Sequence, residues 1–170
     1  FHLPLQSGNN KILEKMRRGH TIEEYKKKID RLREFIPDIS ITTDIICGFP
    51  GETEDDYALT KKALEEIQFD GAFIFRYSPR PHTTALRWED TVFEHEKTRR
   101  VNELLQIQKQ ICRKKNEALL GHGCKVMIEE MSRKSSKEVL ARNWQEKRIV
   151  FKGDASEIGS IANVTLVELM

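Results

Sequence analysis

Three short polar stretches carry the residue types of this chain that are best suited to chemistry, and each follows a run of apolar residues. They are His2-Leu-Pro-Leu-Gln-Ser-Gly-Asn9, Asp44-Ile-Ile-Cys-Gly-Phe-Pro-Gly-Glu-Thr53 and Tyr77-Ser-Pro-Arg-Pro81. Proteins with parallel strands place their ligand-binding groups at the C-terminal ends of those strands. The three stretches are therefore predicted to meet at one mouth of a barrel and to line a cofactor there.

The middle stretch combines a buried strand, a loop with two glycines and the start of a helix. Gly48 and Gly51 allow the backbone to approach a ligand closely, and the helix start after Thr53 offers unpaired N–H groups. An ordinary strand-turn-helix junction would use the same residue types. The spacing alone therefore leaves a binding loop and a plain junction as equal alternatives.

The first stretch places Gln6 and Ser7 at the C-terminal end of a predicted strand. Their side chains can donate and accept hydrogen bonds to ribose hydroxyls or to an amino-acid moiety. A simple turn followed by a helix capped by Asn9 or Asn10 would use similar residues. Ligand binding and turn formation both remain open for this segment.

Composition and charge indicate a globular protein. The 170 residues are 38% hydrophobic and 33% charged, with a net charge of only +2, so bulk charge does not by itself indicate a nucleic-acid partner. The apolar runs fall far short of the roughly 20 residues that span a bilayer, and no targeting segment is visible. Cys47, Cys112 and Cys124 have neither metal-ligand nor disulfide spacing. No metal ligand is assigned, and a reduced, cytoplasmic setting is expected.

The chain changes character near residue 120. Before it, short apolar segments alternate with helical ones, a rhythm that predicts a parallel sheet. Thr21 and Thr53 are predicted N-caps, and Arg99 and Arg100 are expected to face solvent from the last helix. Strands are predicted at 1–6, 39–49 and 72–77, and helices at 10–18, 22–36, 54–67 and 93–120.

After residue 120 the pattern becomes the alternation of a half-buried sheet. Val126 and Ile128 are predicted to face one way, and Lys125 and Met127 the other. Four or five short strands in about 50 residues fit a small antiparallel barrel of the oligonucleotide-binding type. The predicted strands are 124–130, 139–142, 148–151 and 161–167.

In their order along the chain and in their residues, the motifs resemble those of the methylthiotransferases. These are radical S-adenosylmethionine (SAM) enzymes that insert sulfur and a methyl group into tRNA bases or a ribosomal protein. The resemblance rests on the three polar stretches together with Leu13, Met16, Arg18 and Thr21. Two positions depart from the family pattern, because His82 stands where it has glycine and Thr84 where it commonly has proline. The triplet of cluster-binding cysteines is not in this chain. The chain is therefore expected to be the C-terminal part of such an enzyme, beginning inside its barrel.

The resemblance implies that the intact enzyme uses SAM and two 4Fe–4S clusters, whose cysteine ligands would lie upstream. Ile46 and Gly48 match the strand that lies under the adenine, and Arg18 would pair with the SAM carboxylate. Asp44 and Glu52 match acidic positions of the same segment, without an assigned proton transfer. The cofactor-binding residues implied are Gln6, Ser7, Arg18, Asp44, Ile46, Gly48, Glu52, Tyr77 and Ser78; catalytic residues are not assigned.

The last 50 residues resemble a TRAM domain, a small RNA-binding module. Residues 118–170 hold eight basic and seven acidic side chains, so RNA contact must rest on a local patch and on stacking by Trp144 or Phe151. The predicted partner is the tRNA anticodon arm, without a membrane. The candidate phosphate contacts are Arg133, Lys134, Arg142, Lys147 and Arg148.

The predicted fold is an α/β partial TIM-type barrel, the last three βα units of a radical SAM barrel at 1–120, followed by a small all-β TRAM-like barrel at 121–170. The expected function is part of a transferase for tRNA processing that adds a 2-methylthio group to N6-isopentenyladenosine at position 37. Alternatives are action on threonylcarbamoyl-adenosine or on a ribosomal protein, and a non-catalytic RNA-binding module. Without its N-terminal part, this chain is expected to be inactive and to bind no cluster.

Overall fold

The computed structural model describes residues 1–169 and divides into two compact units, Phe1–Lys114 and Lys115–Met170. The first unit combines helices with a two-stranded parallel sheet, and the second is built on a four-stranded antiparallel sheet. This mixed architecture is the one that the two sequence textures predict. Each unit has its own apolar core.

The predicted helices all form, and their N-caps are the predicted residues. Asn9 caps the first helix, and Thr21 and Thr53 open capping boxes with Glu24 and Asp56 on the second and third. None of the helices that the structure describes is both long and apolar enough to cross a membrane. The helices are α1 (Asn10–Lys15), α2 (Ile22–Phe35), α3 (Glu54–Ile67) and α4 (Glu94–Glu117).

Three extended segments run parallel in the first unit. Strand β1 (Thr42–Cys47) pairs with β2 (Gly71–Arg76) in parallel register. The segment before α1 pairs with β1 through isolated bridges at His2 and Gln6. The sequence predicts a continuous strand end over residues 1–6, and the structure limits regular pairing there to these two points.

Alternate residues of β1 point into the core between sheet and helices. Thr43, Ile45 and Cys47 are buried, whereas Thr42, Asp44 and Ile46 are only half-buried. Helix α3 packs on the buried face of the sheet with the buried stripe that its residue spacing predicts. Helices α2 and α4 add further residues to the same core. The stripe consists of Tyr57, Thr60, Leu64 and Ile67, and the core also holds Leu5, Tyr25, Ile29, Phe69 and Leu104.

The opposite face of this sheet is apolar and open. Phe73 and Phe75 on β2 keep 58% and 52% of their surface exposed, and they stand beside Asp44 and Ile46 in the register. Neighbouring exposed aromatic side chains of this kind are typical of a surface that binds a ligand or another protein surface. His2 packs its ring edge-on against Phe73 at this face.

The second unit contains strands β3 (Gly123–Met131), β4 (Glu138–Asn143), β5 (Arg148–Lys152) and β6 (Ile161–Thr165). They pair antiparallel in the order β5-β4-β3-β6. Val126 and Ile128 are buried while Met127 is exposed, which confirms the predicted alternation of β3. The register shifts between Ile128 and Glu130, where β3 carries a bulge.

Asp56 links the α3 cap to the segment before α1. Its carboxylate accepts hydrogen bonds from the Thr53 N–H and the Asn9 amide, both at 2.9 Å, and lies 3.6 Å from the Lys11 ammonium. Burial alone would raise the pKa of Asp56, but the Thr53 hydrogen bonds and Lys11 together hold it below its ordinary value. The charged form is therefore stabilised by the fold.

We predict that Asp56→Asn lowers the free energy of unfolding by about 1 kcal/mol at neutral pH. A carboxyl whose folded pKa is lowered stabilises the fold above its ordinary pKa of about 3.9, and that stabilisation is lost as the pH falls through the lower folded value. The difference between the variant and the unmutated chain should shrink below about pH 4. Urea unfolding across a pH series measures it.

Asp55→Asn is the matched control, because Asp55 lies in the same first turn of α3 but is exposed. Both substitutions remove one negative charge near the helix N-terminus, so any effect of the helix dipole is shared. Equal losses for the two variants would contradict a special role of Asp56.

Candidate functional site at the strand ends

The parallel register brings the three polar stretches to one edge of the sheet. The Ile46 N–H donates to the Gln6 carbonyl at 2.9 Å, and the Tyr77 N–H donates to the Cys47 carbonyl at 2.8 Å. Gln6, Gly48 and Tyr77 therefore stand at the same level, directly beyond the ends of three neighbouring segments. This is the edge at which parallel sheets bind their ligands.

Gln6 and Ser7 turn the chain away from β1 toward α3. Gln6 has a φ of 71°, a left-handed conformation that is uncommon for a residue with a side chain, and it is 5% exposed. The Ser7 hydroxyl is fully buried, lies 3.2 Å from the Thr60 hydroxyl and accepts a hydrogen bond from the Asn9 N–H. Ser7 thus stabilises the packing of this turn, and its cofactor contact stays a prediction.

The amides of the two glycines in the Gly48 loop have acceptors within the chain. Gly48 has a φ of 76°, and its N–H donates to the Glu52 carboxylate at 2.6 Å. The Gly51 N–H donates to the Thr91 hydroxyl at 3.0 Å. The backbone N–H groups of both glycines are therefore already paired within the chain, one with a residue of the same loop and one with a residue 40 positions away.

Glu52 is paired with a buried arginine of α4. Arg100 Nη1 donates to Glu52 Oε2 at 2.8 Å, and its Nη2 donates to Glu54 Oε2 at 3.0 Å. Burial raises the pKa of Glu52, while the Gly48 N–H and Arg100 act in the opposite direction. The predicted solvent-facing orientation of Arg100 was wrong, because the carboxylates of Glu52, in the loop before α3, and of Glu54, in its first turn, pair with it.

Lys97, one helical turn before Arg100, was missed by sequence reasoning. It is 1% exposed, and its ammonium donates to the carboxylates of Asp90 and Glu94. The same ammonium lies 5.6 Å from the centre of the Tyr77 ring. A signal was available, since the buried residues of α4 follow one helical stripe, Lys97, Arg100, Leu104 and Gln108.

Tyr77 belongs to a small aromatic cluster beside the Gly48 loop. Its ring packs edge-on against Phe49 at 5.1 Å between centres, and Phe49 packs in the same way against Trp88 at 5.8 Å. Burial raises the pKa of Tyr77, and its hydroxyl is buried without a hydrogen-bond partner among the residues described. Buried hydroxyls normally find a partner, so this atom fits a site that receives a polar ligand. Ser78, which follows it, is exposed.

The remaining predicted cofactor residues divide between this edge and other places. Ile46 and Asp44 lie on the open face of β1, and Asp44 Oδ2 lies 3.4 Å from His2 Nε2. Arg18 is exposed after α1, where its N–H donates to the Leu13 carbonyl. Within residues 1–169, no described contact joins the Arg18 side chain to the other predicted residues.

The predicted RNA contacts lie at opposite ends of β4. Arg133 and Lys134 belong to the β3–β4 connection, whereas Arg142, Lys147 and Arg148 surround the β4–β5 turn. Six residues of strand separate the two groups by roughly 20 Å. Arg142 donates to Glu129 and to Glu146, both at 2.9 Å, so its charge is already compensated.

Metal ligands are not clustered in the part of the chain that the structure describes. No group of three or more His, Cys, Asp or Glu side chains there has the geometry to hold a metal ion. Cys47 lies buried in β1, where burial raises its pKa to about 12. A thiol with so high a pKa is a poor metal ligand, because the thiolate is the binding form. The described residues do not fit an iron–sulfur cluster.

Gly48 sits against Lys97, and a Cβ built there would lie 2.3 Å from Lys97 Cγ. We predict that Gly48→Ala lowers the free energy of unfolding by more than the ~1 kcal/mol cost of a left-handed alanine alone. Gly51→Ala is the control in the same loop, because Gly51 has a φ of 82° and faces only the tip of Lys15. Urea unfolding compares the two; equal losses would show that Lys97 is not a constraint.

The chain has relatives among known proteins over nearly its whole length. Residues 1–64 match the radical SAM superfamily. A relative from Thermoanaerobacter pseudethanolicus is 44% identical over 168 residues, 99% of this chain and 36% of the relative. Relatives from Treponema denticola and Chlorobium chlorochromatii are each 42% identical, over 99% and 98% of this chain and 38% and 37% of their own length. All three are named tRNA-2-methylthio-N(6)-dimethylallyladenosine synthase.

The chain spans a little over a third of the length of these curated relatives. The resemblance that the motifs predict is confirmed, since the identity extends over almost all of the chain and is not limited to the motifs. Over nearly its whole length, the chain is homologous to the radical SAM methylthiotransferases of tRNA.

Proposed function

We propose that this chain is part of a transferase that adds a 2-methylthio group to N6-isopentenyladenosine at position 37 of tRNA, in the cytoplasm. The observation that carries the proposal is the meeting of Gln6, Gly48 and Tyr77 beyond three parallel segment ends. Two of these segment ends lie in the part that matches the radical SAM superfamily. The names of the relatives favour this substrate over threonylcarbamoyl-adenosine or a ribosomal protein.

The first 120 residues are proposed to be the last three βα units of a radical SAM barrel. In such a barrel, the open face with Phe73 and Phe75 would be the inner face, covered by the remaining strands of the enzyme. Residues 121–170 are proposed to be a TRAM domain. Its antiparallel sheet and alternating β3 support this assignment.

SAM is proposed to bind at the strand ends, held by Ile46 and the backbone at Gly48 and by the polar groups of Gln6 and Tyr77. When bound, SAM supplies the methyl group of the product. The buried, unpartnered Tyr77 hydroxyl supports a polar ligand there. The intact enzyme is proposed to hold two 4Fe–4S clusters on cysteines outside this chain, and no step is assigned to them.

The proposed RNA contact is with the tRNA anticodon arm, through phosphates. Of the five candidate basic residues, Arg133, Lys134 and Arg148 are exposed. Arg142 is less suited, because two carboxylates already hold its guanidinium. Trp144 is exposed in the β4–β5 turn, four positions before Arg148, and offers a stacking surface for an unpaired base.

The SAM site is tested by Ile46→Glu, measured by calorimetric titration of the full chain with SAM. Ile46 is half-buried on the open face, so the variant should fold, while its carboxylate would disfavour the apolar contact with the adenine. We predict weak SAM binding by the unmutated chain and an affinity loss of about tenfold or more in the variant.

Thr42→Glu is the matched control, because Thr42 lies on the same face of β1 at its other end. The two positions are roughly 13 Å apart along the strand. Equal affinities of Ile46→Glu and the unmutated chain would contradict the proposed site, and an equal loss in Thr42→Glu would show a general effect of charge on this face.

RNA binding is tested by Arg148→Gln and Arg142→Gln in a salt series with a tRNA anticodon arm. Each lost phosphate contact lowers the slope of log K against log salt by about one unit. We predict this change for Arg148→Gln and a smaller one for Arg142→Gln, because Arg142 is paired. Arg31→Gln, at an exposed position of α2, controls for the loss of one positive charge. The same change of salt slope in this control would refute a local binding patch.

A further inference from the structure

The ion pair between Glu52 and Arg100 is removed from solvent. The Glu52 side chain is 1% exposed and the Arg100 side chain 6%. Arg100 Nη1 also donates to the main-chain carbonyl of Glu52 at 3.3 Å, so that one guanidinium holds both the side chain and the backbone of this residue. Such a pair fixes the position of the segment that carries Glu52.

Glu52 links Arg100 to Gly48 through its carboxylate. One carboxylate oxygen, Oε2, accepts the hydrogen bonds of both Arg100 and the Gly48 N–H. The turn between them is closed by the Glu52 N–H, which donates to the Phe49 carbonyl at 2.9 Å. The orientation of the Cys47–Gly48 peptide therefore depends on a carboxylate whose own place depends on α4.

Lys97 also packs against Gly48. Its alkyl chain fills the space that a side chain at Gly48 would occupy, and its ammonium is held by Asp90 and Glu94. Lys97 and Arg100 are three positions apart and so lie on the same face of α4. On this face of α4, Lys97 packs directly against Gly48, and Arg100 is linked to Gly48 through the Glu52 carboxylate.

Stability alone does not require ions at this place. A buried ion pair is often no more stabilising than well-packed apolar residues of similar volume, because desolvation offsets the attraction. An apolar pair, however, cannot accept the Gly48 N–H. The ion pair therefore does one thing that apolar residues could not do: it orients the Cys47–Gly48 peptide.

We propose that Glu52 and Arg100 are positioning residues for the cofactor loop, which act on SAM through the Gly48 peptide and do not touch it. The proposal rests on the proposed function, in which Ile46 and Gly48 contact SAM. The Gly48 N–H donates its hydrogen bond to Glu52 and is not open to the ligand. The loop therefore contacts the ligand through the Ile46 side chain and the rest of the backbone around Gly48.

The test measures amide hydrogen exchange at Gly48 by NMR in the full chain, together with calorimetric titration with SAM. The variants are Glu52→Leu, Arg100→Lys and the double variant Glu52→Leu/Arg100→Met. The double variant leaves no unpaired buried charge, so it keeps the fold even if a single variant does not. Glu54→Gln is the matched control, because Glu54 also accepts from Arg100 but is exposed and has no described contact with Gly48.

We expect exchange at Gly48 to be faster by about tenfold or more in the Glu52 and Arg100 variants, with a parallel loss of SAM affinity. Glu54→Gln should change neither. Unchanged exchange in the Glu52 and Arg100 variants would overturn the positioning role. Lost SAM affinity with unchanged exchange would show that Glu52 is itself a ligand, and fast exchange with unchanged affinity would show that the loop is irrelevant to binding.

Failure of the proposed function has a separate signature. If the unmutated chain binds no SAM while Ile46→Glu and Thr42→Glu are both folded, the SAM site is refuted and the positioning proposal with it. Exchange at Gly48 would then report only the structural effect of the pair.

Discussion

Parallel pairing of three extended segments is the constraint on which the rest of the first unit depends. Hydrogen bonds from Gln6, Ile46 and Tyr77 fix the segments in register, so that their ends fall at one level. Because the segments are parallel, the chain must return each time through a helix on the same side. Helices α2 and α3 make these returns and α4 follows β2. Together the three helices bury one face of the sheet and leave the other face open.

Local signals in the sequence predict the elements well, and the reason is physical. The caps at Thr21 and Thr53 depend on residues three positions apart, and the stripe of α3 depends on one helical period. Such interactions are contained within a few residues. The predicted strands 39–49 and 72–77 extend past the ends of β1 at Cys47 and of β2 at Arg76, so the local pattern places these ends to within two residues.

The surroundings of the site could not be predicted in this way. Arg100 was expected in solvent because a charged residue is usually exposed, and only the tertiary structure places Glu52 against it. Ser7 is directed to Thr60 on α3, a contact across 53 positions. The candidate cofactor positions followed from the resemblance to a family, whereas their hydrogen-bond partners required coordinates.

The second unit shows how little core a small sheet can have. Its fully buried apolar residues are Val126, Ile128, Val139 and Ala141, with partly buried neighbours around them. A core of this size supplies little stability by itself. Exposed charged and aromatic residues lie near both ends of β4: Arg133 and Lys134 at one end, Trp144 and Arg148 at the other.

Lys97 gives the first unit an intrinsic chemical reporter. An amine reacts with acylating reagents only when it is accessible and unprotonated, and this one is 1% exposed and held by two carboxylates that, with its other contacts, raise its pKa. Lys27 and Lys28 on α2 are exposed to the reagent. The labelling rate of Lys97 relative to theirs therefore measures how often the contact between α4 and the Gly48 loop opens in the folded protein.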